Sequence, residues 1–402
     1  MRLAFLRLRG VLVRALARLA MRLVPPAPLA LVAGLPDAEE NSLVTALALA
    51  GRFRGEVALV VADPAEASAL LARVARLLDA PALAERVRLR PKSDPRTAWA
   101  FVRARWVLYT HGLYDSPRPV GRRVHVNLWH GTGPKWNVNA RQSQRIGADV
   151  LAAYGEVWGR QVALALRMPP GTRVVPGNPR QDVLLSPGPR SALAALGLDP
   201  GRPLLLWLPT FRRSARAARF GLAEGEPLGG REDAVLRRLF AECRELGVQL
   251  VLKTHRHDDD DYSRLGVRRL TTEELTAAGL TLHQLLGHAD GVLSDYSSTW
   301  VDFLVTGRSV ALHCPDLERY ERERGLNAPP LREVAGGLLL DEDGAAELAR
   351  DLAAGCVFRP AALAAAREAL GVEVRPGPRA AAMLDSLLAL ARERHGEDLG
   401  LT

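Results

Sequence analysis

Short apolar runs alternate with longer segments of helical hydrophobic spacing over most of the chain. In the first half the runs predict parallel strands, and the segments between them, with apolar residues three or four positions apart, predict helices. The predicted strands are Leu29–Val32, Val57–Val61, Val87–Arg90, Trp106–Tyr109, Val124–Leu128 and Arg173–Val175, and the predicted helices are Glu40–Ala50, Ala65–Leu78 and Gly155–Met168. This alternation predicts an α/β fold in which helices cover both faces of a parallel sheet.

A break at Ser186–Pro189 ends this series, and a second alternation follows it. Its predicted strands are Leu204–Leu208, Gln249–Lys253, Val292–Leu293 and Ser309–His313, and its predicted helices are Ala234–Leu246 and Thr281–His288. We therefore predict two α/β domains, residues 25–190 and 195–372, followed by a helix and tail over residues 373–402. Domains of this kind bind ligands beyond the carboxyl ends of their strands, so we expect a cleft there. No G-x-G-x-x-G follows the first strand, which argues against a dinucleotide site.

Residues 1–24 form a separate basic segment. Its arginines interrupt the apolar sequence too often for a signal peptide or a membrane span. On a helical wheel Arg7, Arg14, Arg18 and Arg22 share one face, and Leu, Val and Ala lie largely opposite. This pattern is typical of a basic amphipathic helix at an anionic membrane surface, which predicts a peripheral protein at the inner face of the cell membrane. The alternative is an ordinary helix packed on the first domain.

Composition and charge narrow the range of partners. The 402 residues carry a formal net charge of +9, with a pI near 10.0, which favours polyanionic or phosphorylated partners. Because the arginines are dispersed and only 5% of residues are aromatic, we predict no nucleic-acid surface. The three cysteines, Cys243, Cys314 and Cys356, are widely spaced and predict buried free thiols in a reducing, cytoplasmic compartment.

Five polar segments follow predicted strands and carry the candidate chemistry. They are Asn127–Lys135, with His130, Gly131 and Thr132; Gly177–Asp182, with Arg180 and Asp182; Leu208–Arg213, with Thr210 and Arg212; Leu252–His257, with Lys253 and His255; and Ser294–Thr299, with Ser297, Ser298 and Thr299, followed by Asp302. Cations, histidines and hydroxyls dominate these segments, and carboxylates are few. That composition suits a diphosphate and a departing nucleotide, and it does not suit a two-carboxylate glycosidase.

Each segment also has a structural alternative. Ser297 or Ser298 could simply cap a helix, and a histidine at a strand end is often structural. Arg180 and Asp182 could pair with each other. The acidic run Asp258–Asp261, near His255, resembles a metal cluster, but four successive carboxylates are more typical of a solvated loop. We therefore predict no metal site and no certain cofactor, and leave dependence on a divalent cation open.

The five segments together resemble the CDP-glycerol glycerophosphotransferases, the family of teichoic acid polymerases and primases. The family's motifs W-H-G-T, G-x-P-R-x-D, P-T-[WF]-R, K-x-H and T-D-Y-S-S-x-x-x-D correspond to Trp129–Thr132, Gly177–Asp182, Pro209–Arg212, Lys253–His255 and Ser294–Asp302, and a D-L-E-x-Y-x-x-x-R-G element corresponds to Asp316–Gly325. Asn41 stands where the family often has an Asn at the start of its first helix. The resemblance spans about residues 29–370. It departs from the family pattern at Leu326–Pro329 and at the Gly133-Pro134 step before Lys135.

The resemblance implies a GT-B-like architecture, two Rossmann-like domains facing across a cleft, with the CDP-polyol held mainly by the C-terminal domain. An acceptor hydroxyl would attack the β-phosphorus, release CMP and leave a phosphodiester. On this interpretation His130 is the general base and His255 the second catalytic histidine. The other expected site residues hold or balance the diphosphate or orient their neighbours: Gly131, Thr132, Arg180, Asp182, Thr210, Arg212, Lys253, Ser297, Ser298, Thr299 and Asp302.

The expected reaction is transfer of a polyol phosphate, with glycerol phosphate first among the candidates. The acceptor would be lipid-linked or polymeric, in the synthesis of a teichoic-acid-like or capsular polymer. One alternative is a GT-B sugar transferase or sugar-nucleotide epimerase, in which Glu318 or Glu321 would read the ribose hydroxyls. A second is a non-catalytic protein that binds phosphopolymers. The sequence does not distinguish glycerol from ribitol, or primase from polymerase.

Overall fold

The computed structural model describes the chain except for residues 1, 38, 136–144, 211–232, 255–264 and 375–376, and for residues 2–9 it describes only the backbone. The described residues fall into two compact units. The first lies within Met1–Thr132, Asn137–Val183 and Arg375–Thr402, and the second within Gly133–Trp136 and Leu184–Val374. The C-terminal helix, which the sequence predicts as a segment of its own, is therefore part of the first unit.

The first unit contains a parallel sheet of seven strands. They are β1 (Ala27–Ala33), β2 (Glu56–Val61), β3 (Val87–Pro91), β4 (Ala104–Tyr109), β5 (Val124–Asn127), β6 (Val150–Ala153) and β7 (Arg173–Pro176), in the order β3-β2-β1-β4-β5-β6-β7. The strand order reverses direction between β1 and β4. In a doubly wound sheet, the carboxyl ends of the strands at such a reversal are the usual place for a ligand.

Helices cover both faces of this sheet. They are α1 (Arg2–Leu23), α2 (Glu40–Arg52), α3 (Pro64–Leu77), α4 (Pro81–Glu85), α5 (Pro95–Arg103) and α6 (Glu156–Ala165); α7 (Gln181–Leu185) follows β7, and the C-terminal helix spans Arg379–His395. Successive residues of a strand point to opposite faces, so Val32 joins the core layer of the C-terminal helix, while Leu31 joins the layer of Phe101. Both faces of the sheet are buried under helices, and the strands are therefore almost wholly apolar.

The second unit contains a parallel sheet of five strands. They are β8 (Leu204–Leu208), β9 (Gln249–Lys253), β10 (Arg268–Leu270), β11 (Gly291–Ser294) and β12 (Ser309–Leu312), in the order β10-β9-β8-β11-β12. Its helices are α8 (Ala234–Glu245), α9 (Thr272–Ala277), α10 (Leu282–His288), α11 (Thr299–Phe303), α12 (Leu317–Arg324), α13 (Leu331–Ala335), α14 (Glu342–Ala353) and α15 (Pro360–Leu370). Short 3₁₀ helices span Arg190–Leu196, Leu304–Thr306 and Gly336–Leu338.

The predicted α/β class and the two Rossmann-like units are confirmed. The sequence interpretation missed β6 and β10, because the first has only four residues, two of them alanine, and the second has three, two of them arginine. β6 is apolar but has a single β-branched residue in a run of four, and β10 has one apolar residue, so neither gives a pattern long enough to mark a strand. The three cysteines are free thiols, as predicted, but the prediction that all are buried is wrong: Cys243 is buried, Cys314 is half-buried and Cys356 is exposed.

Candidate active site

His130 follows a strained turn at the carboxyl end of β5. The preceding residue, Trp129, has a φ of 43°, in the left-handed region that non-glycine residues rarely adopt. Two asparagines hold it there: its N–H donates to Asn127 Oδ1 over 3.1 Å, and its carbonyl accepts from Asn41 Nδ2 over 3.1 Å. A strained residue held from both sides gives its neighbour a defined direction, and His130 emerges from this turn with an exposed side chain.

Asn41 connects two of the predicted motifs through one side chain. While its amide NH₂ binds the Trp129 carbonyl, its Oδ1 accepts from the backbone N–H of Arg180 over 3.0 Å. Asn41 lies in the first turn of α2 and is fully buried. The turn before His130 and the turn that carries Arg180 are thus fixed to the same amide, which explains why one short polar residue is needed at this position.

We expect Asn41→Ala to lower the free energy of unfolding by about 2–4 kcal/mol, because it leaves a buried carbonyl and a buried N–H without their partner. Urea unfolding of the whole chain measures this change. The matched control is Asn178→Ala. Asn178 is also fully buried, but its amide atoms have no hydrogen-bond partner among the described residues, so a smaller loss is expected. Equal losses in the two variants would show that the Asn41 hydrogen bonds contribute little.

Arg180 is buried on the same edge of the first sheet. Its guanidinium contacts the Tyr154 hydroxyl and lies 3.4 Å from Glu39 Oε1, and its charge is 5.5 Å from the centre of the Tyr154 ring. Glu39 precedes α2 and caps it through the N–H of Ser42. These contacts fix the guanidinium within the unit, close to the residues that shape the His130 turn.

Asp182 holds the start of the C-terminal helix. One carboxylate oxygen accepts from the Arg379 N–H, and the other accepts from the Ala380 N–H over 3.1 Å. Burial raises the pKa of the Asp182 carboxyl to about 6, although the two backbone donors lower it. Both carboxylate oxygens thus bind backbone N–H groups. These contacts are those of a residue that orients the start of the C-terminal helix.

In the second unit, Asp295 organises the loop after β11. Its carboxylate accepts from the Thr210 N–H at 2.9 Å and from the Thr210 hydroxyl at 2.7 Å, and it also accepts from the Ser297 N–H at 3.3 Å. Ser294 donates from its hydroxyl to the Leu208 carbonyl over 2.7 Å. Because β8 and β11 are neighbours, these bonds fasten two strand ends together, and Thr210 serves that junction.

Three half-buried hydroxyls follow this junction. The Ser297 and Thr299 hydroxyl oxygens are 2.9 Å apart, and Ser297 Oγ accepts from the Thr299 N–H at 3.3 Å. Ser298 is the residue before α11, yet its side chain makes no capping hydrogen bond. Ser297 therefore binds an N–H at the start of α11, as the capping alternative predicts, whereas Ser298 does not cap the helix. The loop presents Ser298 from a backbone that its neighbours hold in place.

The chain segment after Thr132 packs directly on this loop. A Cβ atom added to Gly133 would lie 2.7 Å from Ser298 Cα, closer than Cβ atoms come in real structures, and 3.0 Å from Ser298 N. Asn327 holds the segment: its amide NH₂ donates to the carbonyls of Gly133 at 2.6 Å and Lys135 at 3.0 Å, and its N–H donates to the Pro134 carbonyl at 2.6 Å. The Gly133–Lys135 segment is therefore held in place against the loop Ser297–Thr299, which we call the hydroxyl loop.

The remaining candidates lie in several places. Lys253 ends β9, where its ammonium donates to the Thr254 carbonyl at 2.8 Å and to the Thr272 hydroxyl at 3.1 Å, and burial lowers its pKa. Asp302 is buried in α11, with its carboxylate 3.6 Å from the His283 ring. Thr132 is buried, and its hydroxyl has no hydrogen-bond partner among the described residues. His255 and Arg212, like the Asp258–Asp261 run, lie outside the described residues.

Two further observations concern metal ions and the ribose. Where the structure describes the chain, it contains no group of three histidines, cysteines or carboxylates that could hold a metal ion. Glu318, a candidate ribose ligand under the sugar-transferase alternative, has an 83% exposed side chain that lies 3.5 Å from Arg332. Glu321 is exposed on the same helix. Their contacts give that alternative no support.

The sequence interpretation missed several residues that shape the site. His111 stacks on His130, Tyr154 and Glu39 hold Arg180, and Asn327 holds the Gly133–Lys135 segment. For His111 a signal was present, since it follows β4 as His130 follows the neighbouring β5. For Asn327 the sequence shows only a departure from the family pattern.

Comparison with protein families settles the class of the chain. The family model described as CDP-glycerol:poly(glycerophosphate) glycerophosphotransferase matches residues 74–355, more than half of the sequence. The chain belongs to this family. The predicted resemblance and the predicted enzyme class, a CDP-glycerol glycerophosphotransferase, are thereby confirmed.

Several solved structures share the fold of this chain. Among them are structures of the wall teichoic acid polymerase TagF. A histidine-to-alanine variant of TagF is 15% identical, with a TM-score of 0.62, and the match covers 98% of each chain. A histidine-to-asparagine variant soaked with CDPG is 14% identical, with a TM-score of 0.61 and 98% of each chain covered. At this identity the likeness shows the fold. No curated protein matches the sequence.

Proposed function

We propose that this family member transfers glycerol phosphate from CDP-glycerol to a hydroxyl of a lipid-linked or polymeric acceptor, in the synthesis of a teichoic-acid-like polymer. The observation that carries the proposal is the hydroxyl loop Ser297–Thr299 in a chain of the glycerophosphotransferase family. Asp295 holds this loop through the Ser297 N–H, and Gly133 packs against Ser298. A rigid set of hydroxyls suits phosphate oxygens, which accept several hydrogen bonds each.

In the proposed reaction an acceptor oxygen attacks the β-phosphorus of CDP-glycerol. A bond forms between that oxygen and the β-phosphorus, and the bond from the β-phosphorus to the bridging oxygen breaks, so CMP leaves with the electron pair. His130 takes the proton of the acceptor hydroxyl, a task that suits an accessible imidazole. The products are CMP and a new phosphodiester.

The second unit is proposed to hold the donor. Ser298, whose side chain does not cap α11, would donate to a phosphate oxygen, and Ser297 and Thr299 would complete the set of hydroxyls. The Lys253 ammonium would add positive charge at the end of β9, which lies two strands from β11 in the same sheet. From the resemblance, His255 and Arg212 are proposed to join them. Fixed donors and charges of this kind stabilise the negative charge that develops on the leaving phosphate.

The proposed donor can be tested by incubating the protein with CDP-glycerol, CDP-ribitol or a UDP-sugar, each with and without a lipid-linked acceptor. We expect acceptor-dependent release of CMP from CDP-glycerol and no turnover of the UDP-sugar. Turnover of the UDP-sugar alone would favour the sugar-transferase alternative. Binding of the acceptor with no turnover of any donor would favour the non-catalytic one.

We expect Ser298→Ala to weaken binding of CDP-glycerol by roughly 10- to 100-fold, because it removes a hydrogen bond to a charged phosphate. CMP should lose less affinity, because it carries one phosphate in place of two. Calorimetric titration of both ligands measures the two losses. Equal losses for CMP and CDP-glycerol would mean that Ser298 supports the cytidine or the fold.

We further propose that α1 attaches the protein to an anionic membrane surface at the cytoplasmic face. The leucines at positions 12, 16, 19 and 23 follow the spacing of a single helix face, and each is between 50% and 75% exposed. Met21, on another face of the helix, is buried against the first unit in the cluster that contains Phe101. The helix is therefore packed and also presents an apolar stripe, with Arg18 and Arg22 exposed beside it.

This arrangement suits an amphipathic helix that lies in a membrane interface, where leucines enter the acyl region and arginines bind anionic headgroups. It combines features of the two sequence alternatives, because the helix packs on the first unit through Met21 and also exposes the leucine stripe. No helix in the described part of the chain is long and apolar enough to cross a bilayer.

The double substitution Leu16→Glu, Leu19→Glu should lower binding to vesicles rich in anionic lipid by at least about 100-fold, because two leucines lose their transfer into lipid. Vesicle sedimentation at low and high salt measures it. The matched control is Leu164→Glu, since Leu164 is 67% exposed on a helix of the same unit. If both variants bind like the unsubstituted protein, α1 is not the membrane contact.

A further inference from the structure

His111 and His130 form a stacked pair within the first unit. Their ring centres are 4.3 Å apart, and the ring planes differ by only 4°. The pairing follows from the sheet: β4 and β5 are parallel neighbours in which Tyr109 lies beside Asn127, so the residues just after both strands reach the same edge. His111 is two residues beyond Tyr109, and His130 is three beyond Asn127.

We infer that His111 is a positioning residue that fixes the ring plane of the catalytic base His130. The inference rests on the proposed function, because it assigns His111 a role in the proton transfer proposed for His130. Rotation about the terminal torsion of a histidine is broad and weakly restrained by its own side chain. A neighbouring ring that lies flat on the imidazole restricts this rotation, since any turn of His130 would lose the parallel contact.

A second ring restrains His130 as well. The Trp129 ring centre is 4.1 Å from that of His130, with the planes tilted by 42°, while the Trp129 and His111 rings are 6.0 Å apart. His130 thus contacts two rings at different angles. Trp129 is itself fixed by its strained backbone and by two asparagines, so its ring gives a stable reference.

His111 is also anchored. Its Nδ1 lies 3.1 Å from the Thr110 hydroxyl oxygen, and this oxygen accepts from the Leu35 N–H at 3.1 Å. Thr110 is fully buried, so its hydroxyl has a fixed position. Thr110, which is buried directly after β4, thus holds His111, and the His111 ring in turn stacks on the exposed ring of His130. A proton acceptor must face its donor within a narrow range of geometry, and a fixed ring plane supplies that condition.

The test is a double-mutant cycle on the full chain, measured as kcat and as the Kd of CDP-glycerol. We expect His111→Ala to lower kcat by about 10- to 100-fold with an unchanged donor Kd, as misplacement of a catalytic group does. His111→Phe keeps a flat ring at this position and should retain kcat within a few-fold. The double variant His111→Ala, His130→Ala should be no slower than His130→Ala alone, because a positioning residue has no effect once the base is gone.

The outcomes separate this inference from the proposed function. If His130→Ala retains full kcat, the assignment of the base fails, and the inference fails with it. If His130→Ala is inactive and His111→Ala is normal, only the positioning role is overturned. It is also overturned if the two losses multiply in the double variant, or if His111→Phe is as slow as His111→Ala. Should His111→Ala not fold, His111→Ser takes its place in the cycle, since the site is only half-buried.

Discussion

Replacing His130 by alanine is expected to lower kcat by about 10²–10⁴-fold, the usual effect of removing one acid–base group. The donor should bind as before, because the proposed donor residues belong to the second unit and His130 to the first. The fold should also persist, since His130 is exposed and its turn is held by Asn41 and Asn127. Single-turnover rates, with calorimetry of CDP-glycerol binding, measure the two effects separately.

The matched control for His130→Ala is His395→Ala. His395 ends the C-terminal helix, and its charged neighbours include Asp149, which precedes β6 and so marks the amino edge of the same sheet. Loss of this histidine should leave kcat unchanged. A His130→Ala protein that keeps normal kcat in its folded fraction would contradict the assignment of the base.

Replacing Gly133 by alanine is expected to weaken donor binding by roughly 5- to 100-fold. The new Cβ would lie 2.7 Å from Ser298 Cα and 3.0 Å from Ser298 N, so backbone atoms would have to move. Overpacking of this kind typically costs about 1–3 kcal/mol. The cost falls on the hydroxyl loop, because Asn327 holds the other side of the Gly133–Lys135 segment. Titration with CDP-glycerol measures the loss.

Gly336→Ala provides the control for Gly133→Ala. Gly336 belongs to the same unit, has a helical φ of −57°, and would place its Cβ in open space. The control should bind CDP-glycerol normally and unfold at an unchanged or slightly higher urea concentration, since alanine reduces the entropy of the unfolded chain. If Gly133→Ala binds the donor as well as Gly336→Ala does, the packing of Gly133 on Ser298 has no part in donor binding.

The sequence predicted the sheets and the motif positions because both depend on local patterns. Apolar runs such as Leu204–Leu208 and Gln249–Lys253 appear as strands with the predicted bounds, since parallel strands buried on both faces must be almost wholly apolar. Polar segments that follow such strands necessarily lie at one edge of a parallel sheet. That topological rule brought Thr210 to Asp295 in the second unit, as an edge site requires.

The sequence could not predict contacts that depend on the distant folding of the chain. The Asn327 amide and the Gly133 carbonyl are 194 residues apart in sequence, and no local spacing relates them. The same holds for Asp182 and the N–H of Arg379, which are 197 residues apart. The exposed leucine stripe of α1 was equally inaccessible, because a helical pattern shows an apolar face but does not show which face the domain covers.

Attack at the β-phosphorus can be followed through the fate of that phosphorus atom. CDP-glycerol with a radioactive label in its β-phosphate is incubated with the protein and a lipid-linked acceptor, and the nucleotide and polymer products are separated. We expect the label to appear in the acceptor and the released nucleotide to be unlabelled CMP. Release of labelled CDP, with glycerol alone on the acceptor, would contradict attack at the β-phosphorus.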